Sequence, residues 1–144
     1  MGSVNFSAIR QRFATKIATV AGFSQSRNPL DGAIRTPQSV AHKRYWVGVV
    51  SSSGSSEDRQ AGKVLCDTEI QVKFAYRLRP KDQITDLDGA WDVSQTLITA
   101  LTTRAAPLYT NLQIRFQNIS TEITGSGEFV IVKLIFSVIH TIEV

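Results

Sequence analysis

The chain has 144 residues, of which 42% are hydrophobic and 19% charged, and a formal net charge of +4. That length suits one domain, and the composition excludes a disordered polymer. The one cysteine, Cys66, excludes an internal disulfide and predicts folding in an intracellular compartment. No apolar run reaches membrane-spanning length, because Lys133, Ser137 and His140 interrupt the longest.

The charge is unevenly placed. Residues 1–44 hold seven basic side chains and one acid, Asp31, whereas residues 45–144 hold nine basic and eleven acidic ones. Such asymmetry fits an acidic partner, nucleic acid included, or simply a solvated helix face followed by a basic loop. The N-terminus has no signal-peptide apolar core. Phe6 breaks the myristoylation pattern that Met1-Gly2 begins.

In chain order, Phe6, Ile9, Phe13, Ile17 and Val20 recur at three- and four-residue steps. This is the stripe of an amphipathic helix, with Asn5 or Ser3 placed to cap it and Gly22 to end it. Residues 24–44 lack a period and are punctuated by Pro29, Gly32 and Pro37. They read as a long basic connection, of the kind that is usually functional or disordered. Residues 45–51 read as a short strand. Residues 52–63, rich in Ser and Gly, read as a mobile hairpin loop. Residues 64–79 alternate cleanly. Val64, Cys66, Thr68, Ile70, Val72, Phe74, Tyr76 and Leu78 share one face, and the other is mostly polar.

Asp86 or Asp88 is placed to cap a second helix, whose stripe is Leu87, Ala90, Trp91, Leu97, Ile98 and Leu101. Leu112, Ile114 and Phe116 alternate on one parity and Ile119, Thr121 and Ile123 on the other, so a bulge or a break is expected near Asn118. The last seventeen residues, 128–144, have period two and are apolar on both faces. Val130, Val132, Leu134, Phe136, Val138 and Ile142 form one face, interrupted by His140. Phe129, Ile131, Ile135 and Ile139 lie on the other. At about 3.3 Å per residue this strand would run roughly 55 Å, against a globule about 40 Å across. The second apolar face and the excess length point to contact with another chain. The whole reads as a single α+β domain over 1–144, an antiparallel or mixed sheet with two helices on one face, in the order α-β-β-α-β-β.

Catalytic chemistry is hard to assemble from this inventory. His42 lies in the basic connection and His140 on an apolar strand face, where a hydrogen-bonded core residue is the simpler reading. No nucleophile elbow or metal-spaced Cys/His cluster occurs. Gly62-Lys63 lacks the following Ser or Thr of a phosphate loop. Tyr45 and Trp46 beside Lys43 and Arg44 form a pattern compatible with stacking on single-stranded nucleic acid, which keeps a small basic nucleic-acid-binding domain open as an alternative.

The element order, the helix "FSAIRQRFATKIATV", the strand "TEIQVKFAYRL", the helix "DGAWDVSQTLITAL" and the terminal "EFVIVKLIFSVIHTIEV" resemble the tail terminator (tail completion) proteins of long-tailed bacteriophages. The resemblance spans the chain and is one of layout. It implies a non-enzymatic virion protein without cofactors. Such a protein forms a ring, six-membered in that family, on the end of the tail tube, stops tube polymerisation and presents the surface that the head connector joins. Implied partners are other copies of the chain, the tube protein and the neck protein, with DNA passing through. The implied setting is the tail or neck of a virion assembled in the host cytoplasm; another tail or neck connector component is the neighbouring possibility. A head-to-tail ring uses two different patches per subunit. The sequence offers Phe129, Ile131, Ile135 and Ile139 for one, and Ser52, Gly54, Glu57, Asp58 and Arg59 of the hairpin for the other. Arg27, Arg35, Lys43 and Arg44 are the residues placed to face DNA or an acidic partner.

Overall fold

The computed structural model describes residues 2–26, 42–60, 62–124 and 127–143, with the side chains of 55–60 excepted. The first helix, α1, is Phe6–Ala18. The Asn5 carboxamide oxygen accepts from the Ala8 amide at 2.8 Å, so Asn5 is the cap the sequence offered. Ile9, Phe13, Ala14 and Ile17 are buried, and Gly22 turns the chain away at φ 85°. A two-residue strand, β1 (Ser24–Gln25), follows inside the stretch read as a connection. Then come β2 (Arg44–Gln60), β3 (Lys63–Arg77), α2 (Gln83–Thr102), β4 (Gln113–Ile123) and β5 (Phe129–Glu143). The expected arrangement of helices and paired strands is present, with β1 added.

The strands form one sheet in the order β1-β2-β3-β5-β4. β1 runs parallel to β2, and the other pairs are antiparallel. Both helices lie on one face, α1 against β2 and α2 against β3, β5 and β4, and they touch each other. The core between the layers holds Ile9, Phe13, Tyr45, Ile70, Phe74, Leu97, Leu101, Leu134 and Phe136. On β3 the expected parity holds: Cys66, Thr68, Ile70, Val72 and Phe74 are all buried.

Three expectations are corrected. Residues 52–60, read as loop from their Ser and Gly content, continue β2, and β3 already begins at Lys63. Backbone pairing from Ser51↔Glu69 to Ser55↔Leu65 outweighs the weak strand preference of these side chains. Secondly, β5 does not outrun the domain. β3 matches it residue for residue, from Lys63↔Glu143 to Arg77↔Phe129. Thirdly, α2 begins at Gln83 after Asp82, and neither Asp86 nor Asp88 caps it. Asp86 instead accepts from the Arg79 backbone amide at 2.6 Å and from its guanidinium Nε at 3.1 Å, with Nη2 at 3.0 Å. These bonds hold the carboxyl below its ordinary pKa and fasten the β3–α2 connection. Trp91, counted in the apolar stripe of α2, is 46% exposed. The stripe narrows to Ala90, Ser94, Leu97 and Leu101, with the Ser94 hydroxyl satisfied by the Ala90 carbonyl at 2.7 Å.

The expected bulge on β4 is present: the register with β5 shifts between Phe116 and Asn118. A second bulge, not foreseen, lies on β2 between Val49 and Ser51.

Candidate assembly surfaces

The face of the sheet opposite the helices is built by the alternate residues of each strand. Its rows follow from the register: Ala75–Ile131–Glu122, Trp46–Lys73–Lys133–Ser120, Gly48–Gln71–Ile135–Asn118, Ser51–Glu69–Ser137–Arg115 and Ser53–Asp67–Ile139–Gln113. Phe129 and Ile131 are buried with Ala75 in a small second cluster that Trp46 covers. The indole lies flat across the strand: a Cβ on Gly48 would come within 2.2 Å of it. Glycine at 48 is what lets a side chain this large lie down on its own strand. Lys73 Nζ stands 5.8 Å from the ring centroid, in cation–π range.

Ile135 and Ile139 remain half-exposed on that face, and Ser137 is buried against Asp67, whose carboxylate it bonds. The face therefore has two halves. One carries Arg44, Lys73, Lys133 and Trp46. The other carries Asp67 and Glu69 about an open trough of about 300 Å³, lined also by Ser51, Ser53 and Gln117. Like charges directly opposite on neighbouring strands repel, and Lys73↔Lys133 is such a pair. Arg44 Nε is buried without a hydrogen-bond partner among the described residues. The sequence reading reached Arg44 but missed Lys73 and Lys133, because only the pairing of β3 with β5 brings them together.

The other sequence candidates are dispersed. Arg27 and Arg35 lie outside the described residues, as do the side chains of Glu57, Asp58 and Arg59. Lys43 sits at φ 59° with its ammonium 5.8 Å from the Phe23 ring and 3.5 Å from the Ala21 carbonyl, on the helix side of the molecule. Gly54 is exposed opposite Cys66. Tyr45, considered for base stacking, is 2% exposed and donates its hydroxyl to the Ala14 carbonyl at 3.0 Å. It belongs to the core.

Ser52 begins a relay that runs from the exposed edge of β2 into the core. Its hydroxyl is 2.8 Å from Thr68 Oγ1, which is 2.6 Å from His140 Nε2. His140 Nδ1 is 2.9 Å from the Val4 carbonyl. A carbonyl only accepts, so Nδ1 carries the proton. Nε2 then accepts from Thr68, and Thr68 accepts from Ser52. His140 is fully buried, Phe6 packs edge-on to it at 5.5 Å, and burial holds its pKa below 6.5. This is the hydrogen-bonded core histidine the sequence suggested. His42 accepts from the Arg77 amide at 3.1 Å, and its pKa is also lowered, by burial first and then by Lys43 and Arg77. No group of three metal-ligating side chains, and no helix able to cross a membrane, occurs among the described residues.

Both long edges of the sheet are exposed. On β2, Val49 is 36% and Val50 49% exposed, and residues 51–54 are exposed throughout. On β4, Phe116 is 37% and Ile123 53% exposed. Beside the start of β4 an open cleft of about 720 Å³ is lined by Arg104, Tyr109, Thr110, Gln113 and Arg115.

No protein-family profile matches the chain, and no curated protein does. Among solved structures, the chain is similar to one in the virion of a native gene transfer agent particle. The TM-score is 0.47 at 14% identity, covering 96% of this chain and 94% of that one.

Proposed function

We propose that this chain is a virion structural protein of phage type and that it acts as a tail terminator. In this reading it forms a ring, six-membered by the resemblance, that caps the tail tube, stops its growth and offers the surface to which the head joins. It needs no cofactor and carries no catalysis. Its partners are its own copies, the tube protein and the neck protein, and its place is the tail or neck of a virion assembled in the host cytoplasm. The layout of helices and strands and the quoted segments support the family. The observation that carries assembly is the placement of uncovered apolar side chains on two different edges of one sheet, Val49 and Val50 on β2 and Phe116 and Ile123 on β4. A head-to-tail ring requires two unlike patches on each subunit, and exposed strand edges are ready templates for association.

The experiment is to incubate the purified chain with purified tail tubes and image the mixture by negative stain. Rings, seated at tube ends and halting further tube growth, are expected. Absence of rings both alone and on tubes overturns the reading. A second reading, a small basic nucleic-acid-binding domain, is favoured by the Arg44–Lys73–Lys133 group beside Trp46. It predicts an affinity for nucleic acid that falls steeply with salt, without ring formation.

A further inference from the structure

The two exposed edges match each other in a way that neither strand shows alone. β2 is antiparallel to β3, β3 to β5 and β5 to β4, so β4 has the polarity to pair antiparallel with β2 of another copy. If the next copy continues the rows of the sheet without stagger along the strands, those rows give the register in which the two edges meet. Ser53 is in one row with Gln113, through Asp67 and Ile139. Ser52 is in one row with Ile114, through Thr68 and Val138. Gly48 is in one row with Asn118, and Val47 with Ile119.

Within residues 47–53 and 113–119 each edge carries one bulge, Val50 on β2 and Gln117 on β4, and both adjoin the row Val49–Ile70–Phe136–Phe116; the further register shift of β2, between Ser55 and Gln60, lies outside this stretch. A bulge ordinarily spoils an edge for pairing, because it leaves one residue unmatched. Here the extra residue of one edge is matched by that of the other. Counting from Gln113 opposite Ser53, the pairing reaches Ile119 opposite Val47 with seven residues on each side and no gap. Side chains above and below the bulges stay in phase, Ile114 with Ser52 and Ile119 with Val47 on the helix side, Gln113 with Ser53 and Asn118 with Gly48 on the other.

We propose that β4 of one copy pairs antiparallel with β2 of the next, Gln113 opposite Ser53 and Ile119 opposite Val47, so that one sheet continues from subunit to subunit. The proposal rests on the assembly reading above and names its contact. In this register Phe116 comes opposite Val50 of the next copy, so two of the exposed apolar side chains cover each other. Arg115 comes opposite Ser51, a small residue, with Glu69 of the next copy one strand further, within reach of an arginine at a strand spacing of about 4.8 Å. Among the described residues, β1 meets the β2 edge at Arg44 and Tyr45, below the proposed pairing.

Cross-linking tests the register. In a Cys66→Ser background, Ser53→Cys and Gln113→Cys are placed on one chain. Within a subunit these positions are three strands apart, roughly 14 Å, too far for a disulfide. Mild oxidation at concentrations where the parent chain associates is expected to give a reductant-sensitive ladder of linked oligomers. Ser53→Cys with Asn118→Cys, five residues out of register, is expected to give none. If Cys66→Ser fails to fold, the buried native thiol is retained, being 4% exposed. Association of the parent without a ladder from the in-register pair, or equal ladders from both pairs, overturns the edge pairing and leaves the assembly reading standing. A chain that stays monomeric at every accessible concentration and on tail tubes overturns both.

Discussion

Trp46 and Gly48 show how one residue governs a surface. The indole covers Ala75, Phe129 and Ile131 because position 48 has no Cβ, and a methyl there would overlap it. Gly48→Ala is expected to lift the indole off the sheet without unfolding the chain, since the far end of a side chain can move. In a Trp91→Phe background the remaining tryptophan emission should shift to the red and become more accessible to iodide. An unchanged spectrum would show that the ring does not rest on Gly48. The stability cost should be about 1 kcal/mol, the scale of partly re-exposing one aromatic ring and its three neighbours.

Among the elements, the N-terminal segment, β3 and β5 are joined through His140. The Val4 amide donates to the Thr141 carbonyl at 2.9 Å, and the imidazole links Val4 to Thr68. The folded pKa of His140 lies below the ordinary 6.5 because burial disfavours the charged ring. Between those two values the unfolded chain binds a proton that the folded chain does not. Folding stability is therefore full above pH 6.5 and falls as pH drops below it, until the folded-state pKa is passed. His42 shifts in the same direction and adds to the slope. Denaturant titrations across this range should show a shallower pH dependence in His140→Asn than in the parent, even though the variant starts less stable. Equal slopes would mean that the ring is not held neutral. β2 teaches a different lesson at this scale. Its second half has the composition of a loop and the backbone of a strand, because β3 supplies partners from Ser51 to Ser55 and again at Gln60.

For the whole molecule, the question is which surface the fold leaves uncovered. β5 is sheathed by the helices on one face and flanked by β3 and β4, so its greasy second face is partly closed by Trp46 within the same chain. The edges are not closed in this way. Val50→Lys places a charge on the exposed edge of β2, a common natural device against strand pairing. Since Val50 is half-exposed, thermal unfolding of the dilute subunit should change by no more than about 0.5 kcal/mol. Sedimentation at high concentration should show assembly lost. Undiminished assembly would move the contact to the Trp46 face or the helices.

Local spacing was enough to identify both helices, the inward face of β3, the bulge near Asn118 and the burial of Cys66 and His140. Those properties depend on residues within a few positions of one another, and periods of 3.6 and 2 record them directly. The length of β2, the tie from Asp86 to Arg79, the opposition of Lys73 to Lys133 and the exposure of Trp91 were decided only in three dimensions. So was the match between the two sheet edges. Residues 47–53 and 113–119 are related solely through β3 and β5, and register between strands distant in sequence is set by the packing of the whole sheet against its helices.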